Sequence, residues 1–294
     1  MTTRSGWRLV LALLAWVGVA AVAAEKENLV RNGDFSDGKG TQAEGWSKQD
    51  GITTFWETKG NPRGCLRFDT SVLQVDKKKF LENPDAVQGK SQGGQYDTVG
   101  AHEGVWAFCA PIEVRDGDQY FIVEADVKGP ERSTPLFYPQ VFIRGYQKFD
   151  SQRDAGTSSW FQTPHEGGPA YSEQFGKEQR PAVEGDCLMV YRHALVCRLT
   201  EAEKWEHFEM AFKMPKEKKY RPDVLLLKVY AMWPLGNYCF DNVKLTRASK
   251  EDYDAAKKKG HSIKGFMPTA EDAEPGAKPG GKPAAKEKRG KAKE

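Results

Sequence analysis

The chain has 294 residues, enough for one large domain or two small ones. Its formal net charge of +3 is unevenly placed: residues 1–24 carry +2, residues 274–294 carry +4, and residues 25–273 are left at −3. A mildly acidic body excludes nucleic acid as its partner, because phosphate recognition needs a basic face.

In chain order, Arg4 and Arg8 precede the apolar run Leu9–Ala24, "LVLALLAWVGVAAVAA", which ends in small residues before Glu25. This pattern predicts a secretory signal over residues 1–24. The run is short for a membrane span of about 20 apolar residues, the alternative being an uncleaved anchor. After cleavage no membrane span is expected, and the product is expected to be secreted, periplasmic or on the cell surface. Export permits disulfides. There are five cysteines, Cys65, Cys109, Cys187, Cys197 and Cys239. An odd count leaves at least one unpaired within the chain. None forms a C-x-x-C pair. Cys187 and Cys197 could face each other across a hairpin; buried free thiols are the equal alternative.

From Asn28 to Arg247 the pattern is short strands between turns. Tyr120–Val127, "YFIVEADV", alternates with Phe121, Val123, Ala125 and Val127 on one face. His207–Met214, "HFEMAFKM", alternates likewise. Val224–Ala231, "VLLLKVYA", reads as a central strand buried on both faces. Pro139–Tyr146, Cys187–Cys197 and Tyr238–Leu245 are further strands. Thr200–Trp205 suggests a helical turn and Ser249–Lys259 a short polar helix. Such a pattern predicts an antiparallel sandwich or barrel over residues 25–249. Two long polar stretches, Asp76–Asp97 and Asp150–Gly185, interrupt the strands and read as loops. From residue 250 on, the helix gives way to a Lys/Pro/Ala/Gly-rich tail expected to be disordered. The tail is either solvated or adheres to acidic envelope polymers.

Catalytic patterns are missing. "HEGVW" at His102 and "HEGGP" at His165 lack the second zinc-ligating His. No nucleophile elbow, phosphate loop or dinucleotide fingerprint occurs. "EADVKG" offers Glu124 and Asp126 as a partial acid pair, but Gly129 stands where a third carboxylate would complete it. The aromatics are more informative, because sugar rings stack their C–H faces on Trp and Tyr while hydroxyls bond polar side chains. Trp56, Trp106, Tyr146, Trp160, Tyr191, Trp205 and Trp233 are the candidates. Trp205 reads as structural. Trp160 lies in the second polar stretch. Arg144 and Tyr146, two apart, share a strand face; with Val141 and Ile143 inward they point outward, as a polyol-binding pair or as surface decoration.

Four segments in order, "NLVRNGDFSDG" with "EGWSK", "QYFIVEADVKG", "EKWEHFEMAFKMP" and "WPLGNYCFDNVKLTR", resemble the carbohydrate-binding modules of families four, nine and twenty-two. The resemblance spans residues 28–247. It implies a galactose-binding-domain-like jelly roll of two antiparallel sheets that binds a carbohydrate polymer or glycan without catalysis. The expected ligand contacts are Trp160, Tyr146, Arg144, Tyr191, Trp56 and Trp233. It also implies a structural Ca²⁺ at Asp241 of the closing segment, with Asp34 or Asp37 from the opening segment, where Ser36 stands in place of the usual Glu. A structural or protein-interaction domain on the same fold, and a glycan-active enzyme with carboxylates in the insertions, are the other readings.

Overall fold

A computed structural model describes residues 26–86, 91–131, 139–148 and 187–259. The signal-like segment, the stretch 150–185 with Trp160, and the tail beyond 259 lie outside the described residues.

Twelve strands are described, in chain order β1 (Gly38–Lys39), β2 (Gln42–Ala43), β3 (Thr54–Glu57), β4 (Cys65–Asp69), β5 (Val105–Phe108), β6 (Ile112–Glu113), β7 (Tyr120–Lys128), β8 (Gln140–Lys148), β9 (Cys187–Val196), β10 (Glu206–Lys213), β11 (Val224–Ala231) and β12 (Asn237–Ala248). β1 and β2 form a small ribbon. A first five-stranded sheet runs β10-β7-β12-β4-β3; a second runs β5-β11-β8-β9, with β6 also on β11. All pairings are antiparallel. The molecule is an all-β sandwich, as the alternation predicts.

Side-chain parity sets the core. On β7 the residues Phe121, Val123, Ala125 and Val127 are buried, while Glu124 and Asp126 take the outer face. On β11 the residues Leu225, Leu227, Val229 and Ala231 join them from the second sheet. Leu226 and Lys228, on the other face of β11, are buried as well, so this strand is covered on both sides.

The opening segment packs against the closing strand. Leu29 N–H donates to the Leu245 carbonyl at 2.8 Å, and Val243 N–H to the Gly33 carbonyl at 2.7 Å. Asn32 and Phe35 both adopt left-handed φ, 50° and 47°. Phe35 is held there by its ring against Trp46, 4.9 Å between centroids, and by the Trp56 indole N–H on its carbonyl at 2.8 Å. In the closing strand the pairing with β7 slips between Asp241 and Lys244, a bulge in which Asn242 takes φ 48°. Asn tolerates that conformation, and here its amide donates to the Asn61 carbonyl and to Asp126.

Three expectations need correction. The stretch from Asp76 is not a structureless loop: helix α1 (Gln74–Glu82) begins it, and the short helix α2 (Val99–His102) follows it. Thr200–Trp205 forms a turn, not a helix. Cys187 and Cys197 do not face each other across a hairpin, because β9 is one continuous strand between them. The polar helix is present as α3 (Lys250–Lys259), docked by Tyr253 on Tyr120. No helix of the described residues is long and apolar enough to cross a membrane.

Candidate functional site

The outer face of the second sheet carries the aromatic residues that the core does not use. Pairing places Trp106 opposite Tyr230 and Phe108 opposite Lys228, with Phe142 on the other flank of Lys228. Four rings surround the Lys228 ammonium: Trp106 at 4.5 Å, Tyr230 at 4.9 Å, and Phe108 and Phe142 at 5.8 Å. Burial pushes Lys228 down to about 7, the Arg144 guanidinium adds to the fall, and Glu103 opposes it. Arg144 also lies over Phe142 and donates to the Met189 sulfur at 3.5 Å.

Arg144 and Tyr146 do share this face, opposite Val141 and Ile143. Exposure is where the sequence reading fails. Tyr146 is only 3% exposed, packed with Trp106, Phe108 and Leu226 in a second apolar cluster. This face is a buried layer, so Tyr146 is no open sugar platform. Tyr191 pairs with Gly145 and points the other way; its hydroxyl donates to the Lys213 carbonyl across the sandwich. Trp56 is half-buried, donates to Phe35, and covers Gly38. Both are tied to the backbone by these bonds. Trp205 has Lys128 beside its ring at 5.5 Å. Trp160 lies outside the described residues.

Trp233 stands differently. It leaves the end of β11 in a loop tied down by reciprocal bonds between Thr70 and Gly236, and by the Tyr238 hydroxyl on the Pro234 carbonyl. Its indole lies nearly parallel to Tyr96, 7° between planes and 6.1 Å between centroids. Tyr96 is 70% exposed, the most open large apolar residue described. It rides on a tight turn, Gln95–Asp97, fixed by the Asp97 carboxylate on Gly94 N–H at 2.7 Å and by the Thr98 hydroxyl on the Gln95 carbonyl at 2.8 Å. A large exposed ring costs solvation, and the fold leaves it mostly open. The sequence reading missed Tyr96 because "GGQYD" looks like plain loop.

Of the expected calcium ligands, Asp241 and Asp34 lie within range of each other's charge, together with Asp126, and each is engaged by protein groups. Asp241 is 1% exposed, its oxygens taken by the backbone N–H groups of Asn61 and Asn242. Asp126 accepts from Asn61, Asn242 and His207. Asp34 turns to Ser36 and Arg63. Asp37 is exposed, and its backbone, not its carboxylate, engages Asn32. Among the described residues no group of three or more His, Cys, Asp or Glu is placed to hold a metal.

Asp241 nonetheless makes a testable mark. Burial pushes it from 3.8 up to about 6; the Asn61 and Asn242 amides oppose the rise, and Asp126 and Asp34 reinforce it. The folded state then keeps a proton that the unfolded state releases. This contribution to stability is full below pH 4 and is lost as pH rises through about 6. The difference in urea midpoint between wild type and Asp241→Asn should therefore fall from pH 4 to pH 7. A flat difference would remove the carboxyl as its source.

No family model matches the chain, and no curated protein matches it. Solved structures do. A family 16 carbohydrate-binding module is 13% identical over 74% of this chain and 99% of that one, at a TM-score of 0.36. The CBM22-2 xylan-binding domain of Paenibacillus barcinonensis Xyn10C is 8% identical over 74% and 98%, at 0.34. An arabinose-bound α-L-arabinofuranosidase is 10% identical over 74% and 26%, at 0.38, so the chain spans about a quarter of that enzyme. At TM-scores below 0.5 these likenesses decide nothing about function.

Proposed function

We propose that this chain is an exported module that binds a carbohydrate polymer without catalysis, at the Tyr96–Trp233 end of the sandwich. The observation that carries the reading is Tyr96, an exposed ring stacked on Trp233. A pyranose with equatorial hydroxyls offers an apolar C–H face to such a ring. Gln95 and Asp97 flank it as groups for sugar hydroxyls. The partial acid pair supports binding over hydrolysis: Glu124 and Asp126 lie on the outer face of the first sheet, where Asp126 is held by His207 and two amides. Neutral polymers of such pyranoses are the first ligands to try, because their rings present the apolar C–H face that stacking needs. The basic tail would add adhesion to acidic envelope polymers, and that part should vanish with salt.

Affinity electrophoresis of the purified chain in gels carrying xylan, β-glucan or galactan tests the reading. Retention is expected in at least one. Tyr96→Ala should weaken binding about tenfold or more, the size of one lost stacking contact. Its melting temperature should stay unchanged, because the ring is not in the core. Absence of retention on every polysaccharide would sink the proposal.

A further inference from the structure

In the second sheet the strand register lays out the outer face in rows. One row holds Trp106, Tyr230 and Gln140; the next holds Phe108, Lys228 and Phe142; the third holds Leu226, Arg144 and Arg192. Arg144 and Arg192 are therefore a direct cross-strand pair of like charge, with Cβ atoms about 5 Å apart. Such a pair weakens a sheet, and Lys228 adds a third cation one row away. The face is closed over β5 and β11 but opens toward β9, where Arg144 is half-buried and Arg192 exposed. Two contacts orient Arg144: its guanidinium lies over the Phe142 ring at 5.1 Å, and it donates to the Met189 sulfur at 3.5 Å. Glu103 stands toward Lys228 and Tyr230. Among the described residues no carboxylate pairs with Arg192. Four residues along β8 from Arg144, the Gln140 amide oxygen is buried without a donor. A ligand that brings an oxyanion and a hydroxyl satisfies both defects at once.

We propose that the Arg144–Arg192 pair binds the carboxylate of an acidic polysaccharide, a chain of hexuronate residues. Each planar guanidinium presents a fork of N–H groups that matches a carboxylate, and one carboxylate between two forks relieves their repulsion. A chain laid along β8 meets the arginine pair first, Phe142 about 7 Å further on, and Gln140 about 14 Å from the start. The site therefore takes an oligosaccharide, with a hydroxyl of a later residue donating to the Gln140 amide oxygen. It is separate from the Tyr96–Trp233 end and from the basic tail, so each of the three can fail alone.

Calorimetric titration of the full purified chain with trigalacturonate tests this. Binding is expected at low salt and should weaken as salt rises. Arg192→Gln and Arg144→Gln should each weaken it about tenfold or more. The melting temperature of Arg192→Gln should not fall, because the substitution also removes the repulsion within the pair. Arg192 is exposed, so its variant decides the matter even where Arg144→Gln folds poorly. Tyr96→Ala should leave trigalacturonate binding unchanged, which separates this site from the neutral-polymer reading. Three results would overturn the proposal. One is no binding of trigalacturonate. Another is an affinity unchanged in Arg192→Gln, which would assign the binding to the tail. The third is inorganic sulfate binding as tightly as trigalacturonate, which would leave an adventitious ion only.

Discussion

Gly33→Ala is expected to cost about 3 kcal/mol or more of folding stability, an unusually large loss for one added methyl group. The methyl carbon would lie 1.9 Å from the Val243 carbonyl oxygen and 3.0 Å from the Asn28 amide nitrogen. Neither neighbour can yield cheaply. The first is backbone of β12, and Gly33 also accepts the Val243 N–H at 2.7 Å, so moving the segment away breaks that bond. The Asn28 side chain is fixed by its bonds to Val243 and Leu245. Close approach, not backbone freedom, is what demands glycine here. Gly40→Ala is the control: its φ is +62° but nothing lies within 4 Å, so only the conformational cost of about 1 kcal/mol remains. Urea unfolding of both variants checks this. A Gly33→Ala midpoint equal to that of Gly40→Ala would show that the opening segment is not tied to β12 as described.

The same contact explains how much of the fold could be read in advance. "NGDF" and "CFDNV" were legible because their conformations require particular residue types: left-handed φ at Asn32 and Asn242, and a glycine against a carbonyl. Strands β7, β10 and β11 were legible because one buried face forces alternation, or its loss. Helix α1 was not. Its nine residues carry four charges from Asp76 to Lys79 and bury only Asp76, so no apolar stripe announces it. The candidate site divides in the same way. Strand parity correctly put Arg144 and Tyr146 on one face, but parity cannot say whether that face is open. The direction of Tyr191 had no sequence signal, because β9 carries one extra residue opposite Gly145 and Tyr146, which resets which way its side chains point. Tyr96 carries no pattern at all, since its importance lies in the exposure of one ring and in Trp233, which is distant in sequence.

Lys228→Met should stabilise the protein by about 2–3 kcal/mol at pH 6, because burial sets the lysine down to about 7. The strand "VLLLKVYA" places this lysine between buried leucine and valine, and it is 8% exposed. The fall from 10.5 to about 7 corresponds to about 5 kcal/mol against the charged form. Four surrounding rings return about 2 kcal/mol of cation–π attraction. The balance still disfavours the ammonium, and exchanging a buried charge for an apolar side chain of similar length is often stabilising by 1–4 kcal/mol. The sign with pH follows from the lowered value. Above about 10.5 both states of the wild type are neutral and the lysine costs nothing. As pH falls from there the unfolded chain binds a proton that the folded one resists, so wild-type stability drops until about pH 7 and is level below it. The advantage of Lys228→Met should therefore be full at pH 6 and largely gone near pH 10. Urea midpoints of the two proteins across this range measure it. A variant less stable than wild type at pH 6 would mean that the ammonium inside the ring cluster is a net stabilising contact, and that this aromatic face is built around a cation rather than in spite of one.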